Sequence, residues 1–282
     1  MLTSTSASEI LGRIQEALAV AVSAISPFMS GEMKVDFKQG DDPVTEADRA
    51  ANIALRDILV RDGEGWLSEE SAEDLTRLKK TWIWVVDPID GTREFVAGIP
   101  EWCVSIGLIE SGQAIAGGIC NPATGDTFVG SLETGVALNG KEVCASHRKT
   151  LSGATVLASR SEVKRGEWER FRNGPFAIRP MGSVAYKLAL VAAGLADATW
   201  TLSPKHEWDV AAGVALVKAA GGFAQELDNS FPRFNNRPCI LPNLLAGGPC
   251  LAGELSSYLQ QHRDAAETLV VSPSKIHSGK SS

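Results

Sequence analysis

The chain has 282 residues, of which 44 % are hydrophobic and 22 % charged. That length suits one large α/β domain or two smaller ones sharing a cleft, with core enough to fold without disulfide staples. The net charge of −7 excludes a general binder of nucleic-acid polymers, which needs a basic surface to displace counter-ions from phosphate. It leaves room for a small anionic substrate, because cations held by carboxylates invert the local field.

Ser6 and Glu9 form a capping-box pattern. Behind them Ile10, Ile14, Leu18, Val22 and Ile25 recur at helical spacing, so a long amphipathic helix is expected, ending near Pro27. A polar loop over residues 31–43 follows, then a second helix from about Thr45 to Arg61. Residues 82–86 (WIWVV) read as a buried strand. Strands are expected over 103–109 and 114–120, joined by a turn at Ser111-Gly112, and over 127–129 and 136–138. Asn139-Gly140 is a hairpin signal. The GxxxxGK pattern over 135–141 is therefore a turn and no phosphate loop, since Glu142 stands where Ser or Thr would be needed. Two helices on a mostly antiparallel sheet make up the first half.

The second half alternates: strand 155–158, helix 162–171, strand 177–179, helix 183–193, strand 197–202, helix 208–220, strand 241–246 and helix 253–262. Such alternation implies a sheet with helices on both faces. The divisions are residues 1–150, 151–270 and a Ser/Lys-rich tail over 271–282, expected to be disordered. The cysteines (103, 120, 144, 239 and 250) are odd in number and irregularly spaced, without a CxxC, so free buried thiols are expected. The first ten residues carry no signal-peptide pattern. No apolar run is read as reaching the roughly 18 residues of a membrane span, so a cytoplasmic chain without a membrane partner is expected.

The chemistry concentrates at Asp87-Pro88-Ile89-Asp90-Gly91-Thr92. An apolar strand delivers Asp87 at its carboxyl end, Pro88 holds Asp87 extended, and Gly91 permits a sharp turn. Two carboxylates with the Ile89 carbonyl between them are the hard oxygen ligands that magnesium prefers. Asp, Pro and Gly are also ordinary turn residues, so this motif alone decides nothing. The Asp-x-x-Asp spacing differs from the Asp-x-Asp of phosphatases that form an aspartyl-phosphate.

With Ser68-Glu69-Glu70-Ser71 upstream and Glu207-Trp208-Asp209 to Gly213 downstream, the segment resembles the three ordered motifs of the inositol monophosphatase superfamily. Gly182-Ser183 opening a helix also fits. The resemblance implies a layered αβαβα sandwich of the inositol monophosphatase/fructose-1,6-bisphosphatase type, and a magnesium-dependent, lithium-sensitive phosphomonoesterase with two to three ions per site. It implies metal ligands at Glu69, Asp87, the Ile89 carbonyl, Asp90 and Asp209, and water activation by Asp48 with Thr92. Asp90, Gly91, Thr92, Gly182 and Ser183 would face a small phosphorylated metabolite, and the chain would form a homodimer. Bland readings stand beside these: Asp48 completing a capping box with Thr45, Glu69 or Glu70 as a solvated loop charge, Asp209 complementing a helix dipole.

Members that act on inositol phosphates carry a Glu seven residues before the last metal Asp, and Leu202 stands there. The runs Thr92-Arg93-Glu94-Phe95 and Glu207-Trp208-Asp209 are closer to the 3'(2'),5'-bisphosphate nucleotidase branch. Gly98-Ile99-Pro100 and the hairpin at Asn139-Gly140 resemble the inositol branch. A bisphosphate nucleotidase is the first expectation and an inositol monophosphatase the second. A non-catalytic binding protein on the same fold is the remote third.

Overall fold

The computed structural model describes residues 4–29, 35–37 and 43–270. In chain order its elements are α1 (Ser4–Ile25), β1 (Val35–Phe37), β2 (Pro43–Thr45), α2 (Glu46–Leu59), β3 (Gly65–Ser68), β4 (Trp82–Asp90) and α3 (Thr92–Val96). Then come β5 (Cys103–Glu110), β6 (Gln113–Asn121), β7 (Asp126–Ser131), β8 (Gly135–Leu138), β9 (Lys141–Val143), β10 (Thr155–Ser159) and α4 (Arg160–Lys164). The chain continues through β11 (Ala177–Met181), α5 (Val184–Ala192), β12 (Ala198–Thr201), β13 (Lys205–His206) and α6 (Glu207–Ala219). It finishes with β14 (Phe223–Gln225), β15 (Ile240–Leu241), β16 (Leu244–Gly247) and α7 (Ala252–Val270).

Strands β3 to β9 form one seven-stranded sheet in sequence order, antiparallel except for the parallel β3–β4 pair. The second sheet runs β11-β10-β12-β16-β14 and is mixed. Helices α1 and α2 cover the outer face of the large sheet, α5 and α6 lie between the two sheets, and α7 packs outside the small one. This is the expected αβαβα layering. Three apolar clusters match it: Ile14, Leu18 and Leu55 with Trp84 and Ile106 outside the large sheet; Val85, Ile119 and Leu157 with Leu188 and Val214 between the sheets; and Val156, Trp168 and Trp200 with Leu255 outside the small sheet.

Two adjacent glycines set the spacing of the first three layers. A methyl at Gly117 would lie 2.6 Å from the Ala212 carbonyl oxygen on α6, and one at Gly118 would lie 2.2 Å from an Ile14 methyl on α1. Neighbouring residues of a strand face opposite sides, so the pair lets a helix approach each face of β6.

Several expectations change. The segment Ala7–Phe28 is long and apolar enough to cross a membrane, with a mean hydropathy of 1.2, so the reading that no run reaches that length is corrected. In the fold it is a packed helix: Ile10, Ile14, Leu18 and Ala21 are buried on the sheet, while Ser8, Glu9, Gln15 and Glu16 are exposed. The helix expected over 162–171 is α4 plus a separate 3-10 turn at Glu169–Phe171, because Gly166 adopts a left-handed φ of 80° between them. The strand expected over 241–246 is split into β15 and β16 across Pro242, which has no N–H for a ladder. Cys103 and Cys120 are buried, but Cys144 and Cys250 are exposed, against the expectation of buried thiols. The tail over 271–282 lies outside the described residues, as does most of the loop over 31–43.

Candidate active site

Asp87 and Asp90 are three residues apart on β4, and in a regular strand that spacing points side chains to opposite faces. The register against β5 slips between them: Asp87 faces Ser105 and Asp90 faces Cys103. One extra residue in β4 is a bulge, which re-aims side chains locally. The slip brings both carboxylates into one cavity. Asp87 Oδ1 accepts from the Ile89 amide at 3.0 Å. Gly91 then takes a left-handed φ of 96° and starts α3. A side chain there would be strained and would press on the Glu101 carbonyl oxygen at 3.0 Å.

Four other elements meet this strand end. Glu69 follows β3, Asp48 sits in the first turn of α2, Ser183 caps α5 and Asp209 lies in the first turn of α6. A cavity of about 320 Å³ is lined by Glu69, Asp87, Ile89, Asp90, Thr92 and Asp209 among others, while Asp48 lies outside its lining and meets it through Thr92.

Asp48 does two things at once. Its Oδ2 accepts from the Thr45 amide at 2.7 Å and the Thr45 hydroxyl at 2.6 Å, completing a capping box. Its Oδ1 lies 3.4 Å from the Thr92 hydroxyl. That hydroxyl also lies 3.0 Å from the Ile89 carbonyl oxygen. Burial pushes the Asp48 carboxyl up to about 6, against the hydrogen bonds from Thr45, with Glu70 and Glu69 adding to the rise.

Burial likewise raises Asp87 well above the carboxylate range, and the charges of Glu69, Asp90 and Asp209 add to it. Asp209 is raised well above its ordinary value by burial and then by Asp90 and Glu69. Its Oδ2 accepts from the His206 amide at 3.1 Å, so it is a helix-start residue and a cavity carboxylate together. Asp90 is raised by burial, although Oδ2 accepts from the Ser183 hydroxyl at 2.7 Å and the Ala185 amide at 2.5 Å.

The donor set fits a hard divalent cation: carboxylates and a backbone carbonyl, with no thiolate. Such a cluster carries its charge only with a counter-ion, because each pair of like charges at 4 Å repels by about 4 kcal/mol at an effective dielectric near 20. Among the described residues no three His, Cys, Asp or Glu side chains close on a point as a finished cage. Asp90 and Asp209 each spend one oxygen on protein donors. An open cluster of this kind suits magnesium, which keeps several of its waters.

Of the residues read from the sequence, Glu69, Asp87, Ile89, Asp90, Gly91, Thr92, Gly182, Ser183 and Asp209 all line the cavity. Glu70 is not among its lining residues. The helix-start reading of Gly182 and Ser183 is corrected in its detail. The Gly182 amide donates to Glu101 at 2.8 Å and the Ser183 hydroxyl to Asp90, so the Gly182 amide is not left for a substrate and the Ser183 side chain faces the carboxylate cluster. Glu207 is buried and accepts from the amides of Asn235 and Asn236 at 2.8 Å each; it anchors a loop.

The sequence reading missed two cavity cations. Lys205 pairs with Glu162 at 3.0 Å, and Arg160 with Glu101 at 2.5 Å. Lys205 lies beside the third motif and Arg160 ends a strand-to-helix junction, which were their only signals. Lys187 also lines the cavity but is buried, with its ammonium donating to the carbonyls of Ser183 (2.6 Å), Gly182 (3.1 Å) and Met181 (3.4 Å).

The fold is thus a five-layer α/β sandwich with an acidic cavity at its strand and helix ends. The inositol monophosphatase family model matches residues 7–266, and the chain belongs to that family, whose members are hydrolases of phosphomonoesters. An inositol-1-monophosphatase of Rhizobium meliloti is 30 % identical over 238 residues, covering 81 % of this chain and 87 % of that one. The Nus factor SuhB of Pseudomonas aeruginosa is 34 % identical over 216 residues, covering 70 % and 77 %. The solved inositol monophosphatase of Anabaena (Nostoc) superposes with a TM-score of 0.74 at 26 % identity, over 90 % of this chain and 96 % of that one.

Proposed function

We propose that this protein is a magnesium-dependent, lithium-sensitive phosphomonoesterase that removes the 3'-phosphate of a 3'(2'),5'-bisphosphate nucleotide. The observation that carries the reading is the meeting of Glu69, Asp87, Asp90 and Asp209 in one cavity beside the Asp48–Thr92 pair. Glu69, Asp87, the Ile89 carbonyl, Asp90 and Asp209 would hold two to three magnesium ions, which would supply positive charge to offset the carboxylates and to acidify a nearby water. Thr92 orients that water: with its own proton directed to Asp48, its oxygen accepts a hydrogen bond from the nucleophile. Asp48 then takes the proton through Thr92, its raised affinity suiting a general base. Displacement is in line, with no covalent intermediate on the protein. Asp90 is held rigid by Ser183 and the Ala185 amide, which fixes one side of the cluster.

Two observations support a nucleotide over an inositol. Leu202 packs in the apolar cluster with Trp200 and is absent from the cavity lining, so it offers nothing to a ring hydroxyl. The cavity also carries Arg160 and Lys205. The names of the related inositol-1-monophosphatases favour the second reading, an inositol monophosphate substrate. A cytoplasmic homodimer completes the proposal by analogy with the family. Phosphate release from 3'-phosphoadenosine 5'-phosphate and inositol 1-phosphate, with magnesium and with or without lithium, separates the two. The nucleotide should be preferred and its hydrolysis inhibited by lithium; a preference for inositol 1-phosphate would overturn the substrate assignment.

A further inference from the structure

The proposed hydrolysis makes no use of the positive charge in the same cavity. Lys205, on the short strand β13, reaches Glu162 of α4 at 3.0 Å, with side-chain exposures of 16 % and 3 %. Glu162 is otherwise filled by protein donors: the Thr201 hydroxyl at 2.7 Å and the Trp168 indole N–H at 3.1 Å. A carboxylate so buried holds the lysine in place from behind. Among the described residues Glu162 is the one partner of the Lys205 ammonium, and an ammonium has three donors. Two remain for a ligand in the cavity. Lys187 differs, since its three N–H donors all meet carbonyls.

Arg160 is built the same way. It stands two residues before Glu162, lines the cavity, and is tied by one nitrogen to Glu101 at 2.5 Å, with Glu94 3.9 Å from another. Next to Lys205, His206 stacks on Trp208 with ring centres 4.4 Å apart and planes 6° from parallel, and both rings line the cavity. Two tethered cations and an aromatic wall thus share one small space with the carboxylates. Lys205, Asp90 and Asp209 line the same cavity of about 320 Å³, so Lys205 lies within the span of one small molecule from the cluster.

We propose that Lys205, together with Arg160, forms a second anion subsite that binds the non-reacting phosphate of a doubly phosphorylated substrate, making Lys205 a specificity-determining residue. This rests on the reading of the carboxylate cluster as a phosphomonoesterase site. Glu162 acts only as a positioning residue. A hydrogen bond to a charged group contributes about 1.5–3 kcal/mol, which is roughly a 10- to 150-fold preference for the second phosphate.

The test compares kcat/KM for adenosine 3',5'-bisphosphate and adenosine 3'-monophosphate in magnesium. The wild type should favour the bisphosphate by about tenfold or more. Lys205→Met should collapse that ratio toward one, chiefly through KM for the bisphosphate, and Lys205→Arg should retain most of it. A wild type that hydrolyses both substrates equally overturns the subsite, as does a folded Lys205→Met with an unchanged ratio. Should Lys205→Met fail to fold, the wild-type ratio and the Lys205→Arg ratio still decide. Hydrolysis of neither substrate is a different failure, and removes the phosphomonoesterase reading beneath the subsite.

Discussion

Asp48 spends one oxygen on the start of its own helix and turns the other toward Thr92. The capping role and the catalytic role, which compete as readings of the sequence, coexist because a carboxylate has two oxygens. Asp48→Asn keeps an oxygen for the cap and removes the base. Its kcat should fall by about 10²–10⁴-fold, the usual contribution of general-base catalysis, while its melting temperature stays close to that of the wild type. Steady-state kinetics and thermal melts check this together. Thr92→Val should lose kcat on a similar scale. The acidic residues at this site were legible in the sequence because their motifs stand in order. The engagement of the Gly182 and Ser183 donors was not, since it depends on Glu101 and Asp90, far away in the chain. Lys205 and Arg160 were illegible for a related reason: a basic residue counts as solvated surface until its acidic partner, Glu162 or Glu101, is seen beside it.

At the scale of elements, the strand-forming runs and the Asn139-Gly140 hairpin could be read from local pattern, since β8 and β9 pair Leu138 with Lys141 across that turn. The bulge in β4 could not, because a one-residue slip appears only when the partner strand is in place. Strands as short as β13, β14 and β15 have no periodicity to detect, and tertiary pairing alone defines them. The Gly117-Gly118 pair shows the same limit: its sequence fits a strand, while its purpose is the close approach of α6 and α1. Gly117→Ala should push α6 off the sheet. Overpacking of this kind costs about 1–3 kcal/mol, and displacement of α6 moves Asp209 as well. A lowered melting temperature with a raised magnesium requirement for activity is expected. Unchanged values of both would mean that the α6 contact tolerates a methyl.

Across the whole molecule, burial raises the proton affinities of Asp48, Asp87, Asp90 and Asp209, and neighbouring carboxylates add to the rise at Asp48, Asp87 and Asp209. A carboxyl raised in the folded state binds more protons there than in the unfolded chain between its two pKa values. Stability therefore falls as pH rises through that window. For Asp48 the window runs from the unfolded value of 3.8 to about 6, and for Asp87 and Asp209 it extends higher. Stripped of divalent cations, the protein should lose melting temperature between about pH 4 and pH 7 at these groups. Asp87→Asn should lose less. Millimolar magnesium should raise the melting temperature most at neutral pH, because a ligand bound only by the folded state stabilises it. A melting temperature unmoved by magnesium at pH 7 would contradict a cation site in this cavity.

The most direct measurement is magnesium-dependent phosphate release from a generic phosphomonoester, by the wild type and by Asp87→Asn. Asp87 is buried within the cluster and feels the charges of Glu69, Asp90, Asp209 and Asp48, so its loss should disable the site as a whole. Release by the wild type that requires magnesium, and its loss to background in a folded Asp87→Asn, is the predicted result. Release that persists in Asp87→Asn, or that proceeds equally well with a chelator, would contradict the account.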